Sequence, residues 1–291
     1  MNRSSLYRSL AAVGLALFWT LPALGGSPTI AESTTKQSTT PEKWWSADLE
    51  VGYSSILFFR GISILGNSAN DGVATTLLSA TFKPIPNLSI NPSVFLANGI
   101  SENKGRNANY TAYQVLFPSL TATYSIGPVD LSAAYLYYYN PYASGDPSFI
   151  YDVHEIMIGA AYTAIPHLTP STSFYYDTSR WHGWYGQIDI NGDYPVYRDI
   201  LTLKPMFWTG IDFGSNRRHF AGGSKMGGTA GMNDIGIGLK AVIKVNDVIS
   251  ITPFVKASFP IGSGVAINSN YEGDNGSHNH LWGGIHLTFS Y

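Results

Sequence analysis

The sequence predicts an all-β chain that folds as a transmembrane antiparallel up-and-down β-barrel of about twelve strands. Three observations lead to this prediction. Only 12% of the 291 residues are charged while 14% are aromatic, apolar and polar residues alternate along most of the chain, and the connections between alternating segments are short and long in turn. Period-two alternation is typical of a strand with two unlike faces. A soluble sandwich also alternates, but short turns on one side and long loops on the other are typical of outer-membrane barrels.

The N-terminal region is predicted to lie outside the barrel. Two arginines precede an apolar run at 10–19, which is too short to span a bilayer, and small residues follow it. This order is typical of a secretory signal peptide, so we expect residues 1–25 to be cleaved. Residues 26–43 are rich in Ser, Thr and Pro and predict a flexible leader. The barrel is then expected to span 44–291, in the outer membrane of a Gram-negative-type envelope.

Each predicted strand is an alternating segment bounded by turn residues. In the first, Leu49, Val51 and Tyr53 oppose Asp48 and Glu50, and the same contrast between an apolar and a polar row recurs in the others. In chain order the segments span 46–60, 73–83, 88–98, 111–125, 129–139, 152–164, 168–178, 183–191, 199–212, 231–245, 248–259 and 281–291.

Two of these strands are less regular than the others. The eighth, 183–191, precedes an overlong turn, but an even number of strands is typical of single-chain barrels and requires it. In the fourth, Gln114 falls on the same face as Leu120. We expect a β-bulge near Pro118 to correct the phase, since a bulge adds one residue to one strand.

The last predicted strand ends on an apolar row. Its members, two residues apart, are Ile285, Leu287, Phe289 and Tyr291. A terminal aromatic after an alternating strand is similar to the signal that outer-membrane barrels present to their assembly machinery. We therefore expect the barrel-assembly machinery and outer-membrane lipids to be partners of this chain.

Charged residues on the strands are predicted to face the lumen, because a charge that faces lipid is costly. The four basic members of the set belong to neighbouring strands and predict a basic wall opposite a more acidic one, which would orient polar solutes. The alternative is that these charges pair with one another and close the lumen. The pore-lining candidates are Arg60, Asp130, Glu155, Asp177, Asp189, Lys204, Lys240 and Lys256.

No motif of a known enzyme class is found, so we expect no catalytic residue, no metal and no cofactor. The chain has no Cys, which excludes disulfides and thiolate metal sites. An outer-membrane lipid hydrolase is the strongest enzyme alternative, but His154 has no Ser near it in the sequence. The net charge of −2 gives no sign of a nucleic-acid partner.

The segment Phe59-Arg60-Gly61-Ile62-Ser63 resembles the opening of the TorF-type porins. This resemblance implies an outer-membrane barrel and leaves the solute open. We therefore expect a porin-like channel for passive diffusion of small hydrophilic solutes. A non-conducting barrel with an adhesive or surface-structural role is the alternative, and the sequence leaves a homo-oligomer open.

Overall fold

The computed structural model describes most of the predicted barrel. The described residues are 43–59, 62–65, 72–100, 114–139, 153–179, 182–213, 231–261 and 279–291. The predicted signal peptide and nearly all of the predicted leader lie outside them. Within these ranges no helix is long and apolar enough to cross a membrane.

The described residues form fifteen β-strands. They are β1 (Trp45–Ser54), β2 (Leu57–Phe59), β3 (Ile62–Leu65), β4 (Val73–Ile85), β5 (Leu88–Gly99), β6 (Gln114–Ile126), β7 (Val129–Tyr138), β8 (Val153–Tyr162), β9 (Leu168–Asp177), β10 (Trp184–Gly192), β11 (Tyr194–Tyr197), β12 (Leu201–Phe213), β13 (Gly231–Lys244), β14 (Ile249–Pro260) and β15 (His280–Ser290).

Twelve of these strands close into an antiparallel barrel. Successive long strands pair with each other, β1 pairs with both β4 and β15, and β10 pairs with both β9 and β12. A closed ring leaves no free edge, as lipid requires, because an unpaired backbone group in hydrocarbon is costly. The short strands β2 and β3 form a separate hairpin, and β11 pairs with β12 alone. The predicted all-β, twelve-stranded antiparallel barrel is confirmed.

The two irregular strands have different outcomes. The predicted eighth strand exists as β10, which pairs along its length with β9. The predicted bulge near Pro118 is wrong, because the β5–β6 register runs without a shift from Asn98–Gln114 to Leu88–Tyr124. Gln114 stays on the outer face at the end of its strand, where Nε2 donates to Oδ1 of Asn98 at 2.7 Å. Pairing of the two amides removes the need for a phase correction.

The outer face of the barrel is apolar. Register and alternation place every Asp, Glu and Lys of the twelve barrel strands at an inward-facing position. Large apolar side chains are about half exposed on the outside, which reverses the usual arrangement of a soluble protein. Such a face is suited to lipid contact. Examples are Leu78, Leu120, Ile156, Ile158 and Ile237.

The two ends of the barrel differ in their connections. The turns after β4, β6, β8 and β13 are short and lie at one end, here called the short-turn end. Positive φ angles at Asn87, Gly127 and His167 allow the first three of these turns to be tight. The opposite end, here called the long-loop end, carries the connections that follow β1, β5, β7, β12 and β14, which lie mostly outside the described residues.

Candidate functional site in the barrel lumen

Inward-facing apolar side chains fill the lumen near the long-loop end. They form one cluster that draws on β2 and on every barrel strand from β4 to β10, with exposed fractions between 0% and 8%. Packing at this density leaves little room for water at that height. The cluster consists of Leu57, Val73, Ala97, Val115, Phe117, Ala134, Leu136, Tyr138, Val153, Met157, Tyr175 and Tyr185.

The chain enters the lumen directly after β1. The predicted first strand, 46–60, is wrong at its C-terminal end, because β1 ends at Ser54. Ser55 still pairs with the wall, since its N–H donates to the carbonyl of Gly283 at 2.9 Å. The Ser54 hydroxyl donates to the carbonyl of Ile56 at 2.6 Å, which is a local bond that supports the turn inward.

Residues 56–58, here called the crossing segment, touch both walls of the lumen. Leu57 belongs to the apolar cluster of β4–β10, whereas Phe58 stacks on Trp282 of β15 with ring centroids 4.6 Å apart. Ile56 packs on the same side as Phe58. Successive side chains of a strand point in opposite directions, so the segment spans the lumen between the two walls.

A tryptophan layer supports the crossing segment from the second wall. Trp208 lies edge-on to Trp282 at 6.1 Å and donates from Nε1 to Oδ2 of Asp234 at 3.0 Å. Ser258 donates to the same carboxylate oxygen at 2.8 Å. The buried Asp234 therefore fixes the Trp208 ring in place.

The four candidate acids all face inward, but at different heights. Glu155 and Asp177 lie opposite each other near the long-loop end and are fully buried. Tyr138 donates to Glu155 at 2.9 Å, and the hydroxyl of Ser179 donates to Asp177 at 2.9 Å.

The other two acids lie lower in the barrel. Asp189 accepts a hydrogen bond from Nε2 of Gln187 at 3.0 Å and is also buried. Asp130 lies close to the short-turn end, where it accepts a hydrogen bond from the hydroxyl of Ser125. The acids therefore lie at several depths, each accepts a hydrogen bond from a neutral donor, and their place in a pore lining stays a prediction.

The structure brings the three candidate lysines together on neighbouring strands, with Lys204 and Lys240 nearer the short-turn end and Lys256 past the middle of β14. Lys204 and Lys240 lie directly opposite each other on β12 and β13. Lys256, on β14, lies next to Phe254, which is the partner of Lys240. We call Lys204, Lys240 and Lys256 the lysine cluster. The fourth basic candidate, Arg60, lies outside the described residues.

Several lumen charges were missed by the sequence reasoning. In the middle of β1 and β15, Nδ1 of His286 lies 2.8 Å from a carboxylate oxygen of Glu50, and the side chains of Glu50 and His286 are 24% and 21% exposed. Asp212 and Asp234 face inward on β12 and β13, the strands that were assigned to a basic wall. The alternation that identified the lysines also applies to these three acids. The basic strands therefore carry acids as well.

The geometry around His154 does not match a serine hydrolase. Ser179 lies nearby, which the sequence did not indicate, but its hydroxyl accepts from the His154 backbone N–H at 3.1 Å and donates to Asp177. The His154 ring instead meets the hydroxyl of Tyr135 through Nδ1. Activation of a serine requires a hydrogen bond between the hydroxyl and the imidazole, and none joins these two side chains.

The predicted assembly signal lies on the outer face of β15. Ile285 and Phe289 are exposed to the outside, and Tyr291 is 74% exposed at the short-turn end. Tyr291 also closes the barrel, because its N–H donates to the carbonyl of Ala47 at 2.8 Å and its carbonyl accepts in return at 3.1 Å. Its role in assembly stays a prediction.

Comparisons with known proteins identify the fold and no family. No family model and no curated protein matches the chain, so the resemblance to TorF-type porins stays a prediction. Among solved structures, the COG4313 outer-membrane channel of Pseudomonas putida F1 is similar at 9% identity and a TM-score of 0.52, over 87% of this chain and 100% of that one. The NanC porin is similar at 12% identity and a TM-score of 0.47, over 84% of this chain and 98% of that one. LpxR from Salmonella typhimurium is similar at 8% identity and a TM-score of 0.47, over 83% of this chain and 99% of that one. The chain therefore has the closed-barrel fold found in an outer-membrane channel.

Proposed function

We propose that this chain is an outer-membrane channel for the passive diffusion of small hydrophilic solutes. The observation that carries the proposal is the distribution of charge. The barrel strands place all their acids and lysines inside and an apolar surface outside. Inward charge in a lipid-facing barrel suits a water-filled lumen, because ions stay hydrated there and act on passing solutes.

The two ends of the lumen contribute differently to this function. Between the crossing segment and the short-turn end, Lys204 near that end and Glu50 and His286 in mid-barrel keep side-chain exposures of 17%, 24% and 21%. Water therefore reaches this part of the lumen, and solutes enter from that side. Toward the long-loop end, the crossing segment fills the space between the walls. We propose that this segment sets the narrowest point of the route.

Planar-bilayer recording of the purified, refolded full chain tests the channel. Single-channel current steps are expected, and they should be small because the crossing segment narrows the route. The absence of steps at every salt concentration, from protein that shows the heat-modifiable migration of a folded barrel, would contradict a channel.

A non-conducting barrel is the second candidate, and the buried cluster at the long-loop end favours it. Its function would then be adhesive or structural and would depend on the long loops, which lie outside the described residues. A barrel that stays silent in bilayers even after the crossing segment is cut back would support this candidate.

The membrane location is proposed from the apolar outer face and has its own test. Cell fractionation should recover the chain with the outer membrane, and its migration in detergent gels should change on heating. Recovery as a soluble periplasmic monomer would contradict the location.

A further inference from the structure

We propose that the lysine cluster binds a small anionic solute that carries a carboxylate or phosphate group. The site lies inside the lumen, between the tryptophan layer next to Lys256 and the short-turn end next to Lys204. The inference rests on the proposed channel function, since the solute reaches the cluster through the lumen. It goes further by naming the chemistry of a solute and the place where that solute stops.

Two lysines of this cluster face each other across neighbouring strands and repel each other. Lys204 and Lys240 are direct cross-strand partners, and both side chains point into the lumen. Like charges directly opposite each other destabilise a sheet. The repulsion is stronger in a partly buried site than in water, because the effective dielectric constant is lower. The amine of Lys256, on the next strand, interacts electrostatically with Lys240 and extends the cluster.

The lysines of this cluster are incompletely paired with carboxylates. Lys204 has a partner in Asp193 at 3.4 Å at the edge of the barrel. Among the described residues, however, neither Lys240 nor Lys256 has a carboxylate oxygen within 4.0 Å. The cluster therefore contains positive charge that no close ion pair neutralises.

The acids that face the cluster are held by other groups. Glu50 acts electrostatically on Lys240 and Lys256, but its carboxylate is bonded to His286 at 2.8 Å. Asp189 acts on Lys256 and accepts its hydrogen bond from Gln187. The negative charges of these acids partly offset the repulsion between the lysines. Because the acids accept hydrogen bonds from other groups, the lysine N–H donors stay available to a ligand.

The geometry favours a small anion that approaches from the short-turn end. Phe254 is the cross-strand partner of Lys240 and lies two residues before Lys256 on β14. The Lys256 Nζ atom is 5.6 Å from the centroid of the Phe254 ring. A lysine ammonium is a compact charge with three donors, and it binds carboxylate and phosphate oxygens alike. Lys256 is the cross-strand partner of Trp282, so the tryptophan layer and the crossing segment bound the site on the side of the long-loop end.

Titration calorimetry of the full chain in detergent micelles tests the site. Inorganic phosphate and succinate are the two probes, each titrated into wild-type protein and into K240Q/K256Q. We expect saturable binding of at least one probe, and a loss of affinity of about tenfold or more in the double variant. Binding of only one probe assigns the solute to that class. Absence of saturable binding of both probes to wild type overturns the proposal.

The matched control is K244Q. Lys244 lies at the short-turn end of β13 and pairs with Asp247 at 2.9 Å. Its hydrogen bond holds the pKa of Asp247 below the usual value, so the positive charge of Lys244 already has a close partner. Binding that K244Q and K240Q/K256Q weaken equally would overturn the proposal. K240R, which keeps the charge, should retain binding, and heat-modifiable migration of K240Q/K256Q checks that the double variant is folded.

The result separates this proposal from the proposed function. Calorimetry in micelles does not require conduction. Conduction without saturable binding would overturn the anion site and leave the channel, whereas binding without conduction would overturn the channel and leave the site.

Discussion

Gly236 determines whether Trp208 can lie flat against the barrel wall. A Cβ atom at position 236 would come within 1.8 Å of the Trp208 ring. The ring in turn supports Trp282 and, through it, the crossing segment. The absence of a side chain at Gly236 therefore allows the tryptophan layer to pack against the crossing segment.

Gly236→Ala should destabilise the barrel because the indole ring must move off the wall. We expect a loss of about 1–3 kcal/mol in unfolding free energy, as is typical of overpacking. Urea unfolding in micelles, followed by tryptophan fluorescence, measures it. Gly231→Ala is the control, since nothing lies within 4 Å of a Cβ there. Equal stability of the two variants would contradict the packing argument.

The lysine cluster should also determine ion selectivity. Replacement of Lys204, Lys240 and Lys256 with Gln removes three positive charges and leaves Glu50 and Asp189 in the lumen. The reversal potential in a KCl gradient should therefore shift toward cations. An unchanged potential would mean that permeating ions do not pass these lysines.

At the scale of strands, alternation predicted most boundaries but could not show where a strand leaves the wall. Leu57 and Phe59 keep the apolar phase of Leu49–Tyr53, so the pattern reads the same whether the chain continues in the sheet or turns inward. The departure depends on contacts with Trp282, which is distant in sequence. The bulge predicted at Pro118 failed for a related reason, because pairing of Gln114 with Asn98 is a cross-strand contact.

The last strand allows a test of the predicted assembly signal. Phe289 faces outward on β15, and Thr288 faces inward beside it opposite Glu50. Phe289→Ser should lower the fraction of heat-modifiable protein in the outer membrane of cells, since it removes an aromatic of the terminal row. Thr288→Ala should leave that fraction near the wild-type value. Equal fractions for both variants would show that assembly does not depend on the terminal row.

For the whole molecule, the sequence predicted which side of the wall each charge occupies better than which charges meet. Alternation alone indicates a face, so Lys204, Lys240 and Lys256 could be proposed for the lumen from the sequence. The height of each residue depends on strand register and on closure of the barrel. The contact between Glu50 and His286 therefore forms only when β1 and β15 pair. As a result, the interior carries both signs of charge on the same side, instead of one basic and one acidic wall.

The central claim is that a polar lumen is obstructed by the crossing segment. Single-channel recordings of the wild-type chain and of Leu57→Ala/Phe58→Ala, made side by side, test it most directly. Leu131→Ala/Phe207→Ala removes the same side chains from the outer face and is the control. We expect larger current steps in the crossing-segment variant than in wild type and control. Steps of equal size in all three proteins, or no steps in any of them, would contradict it.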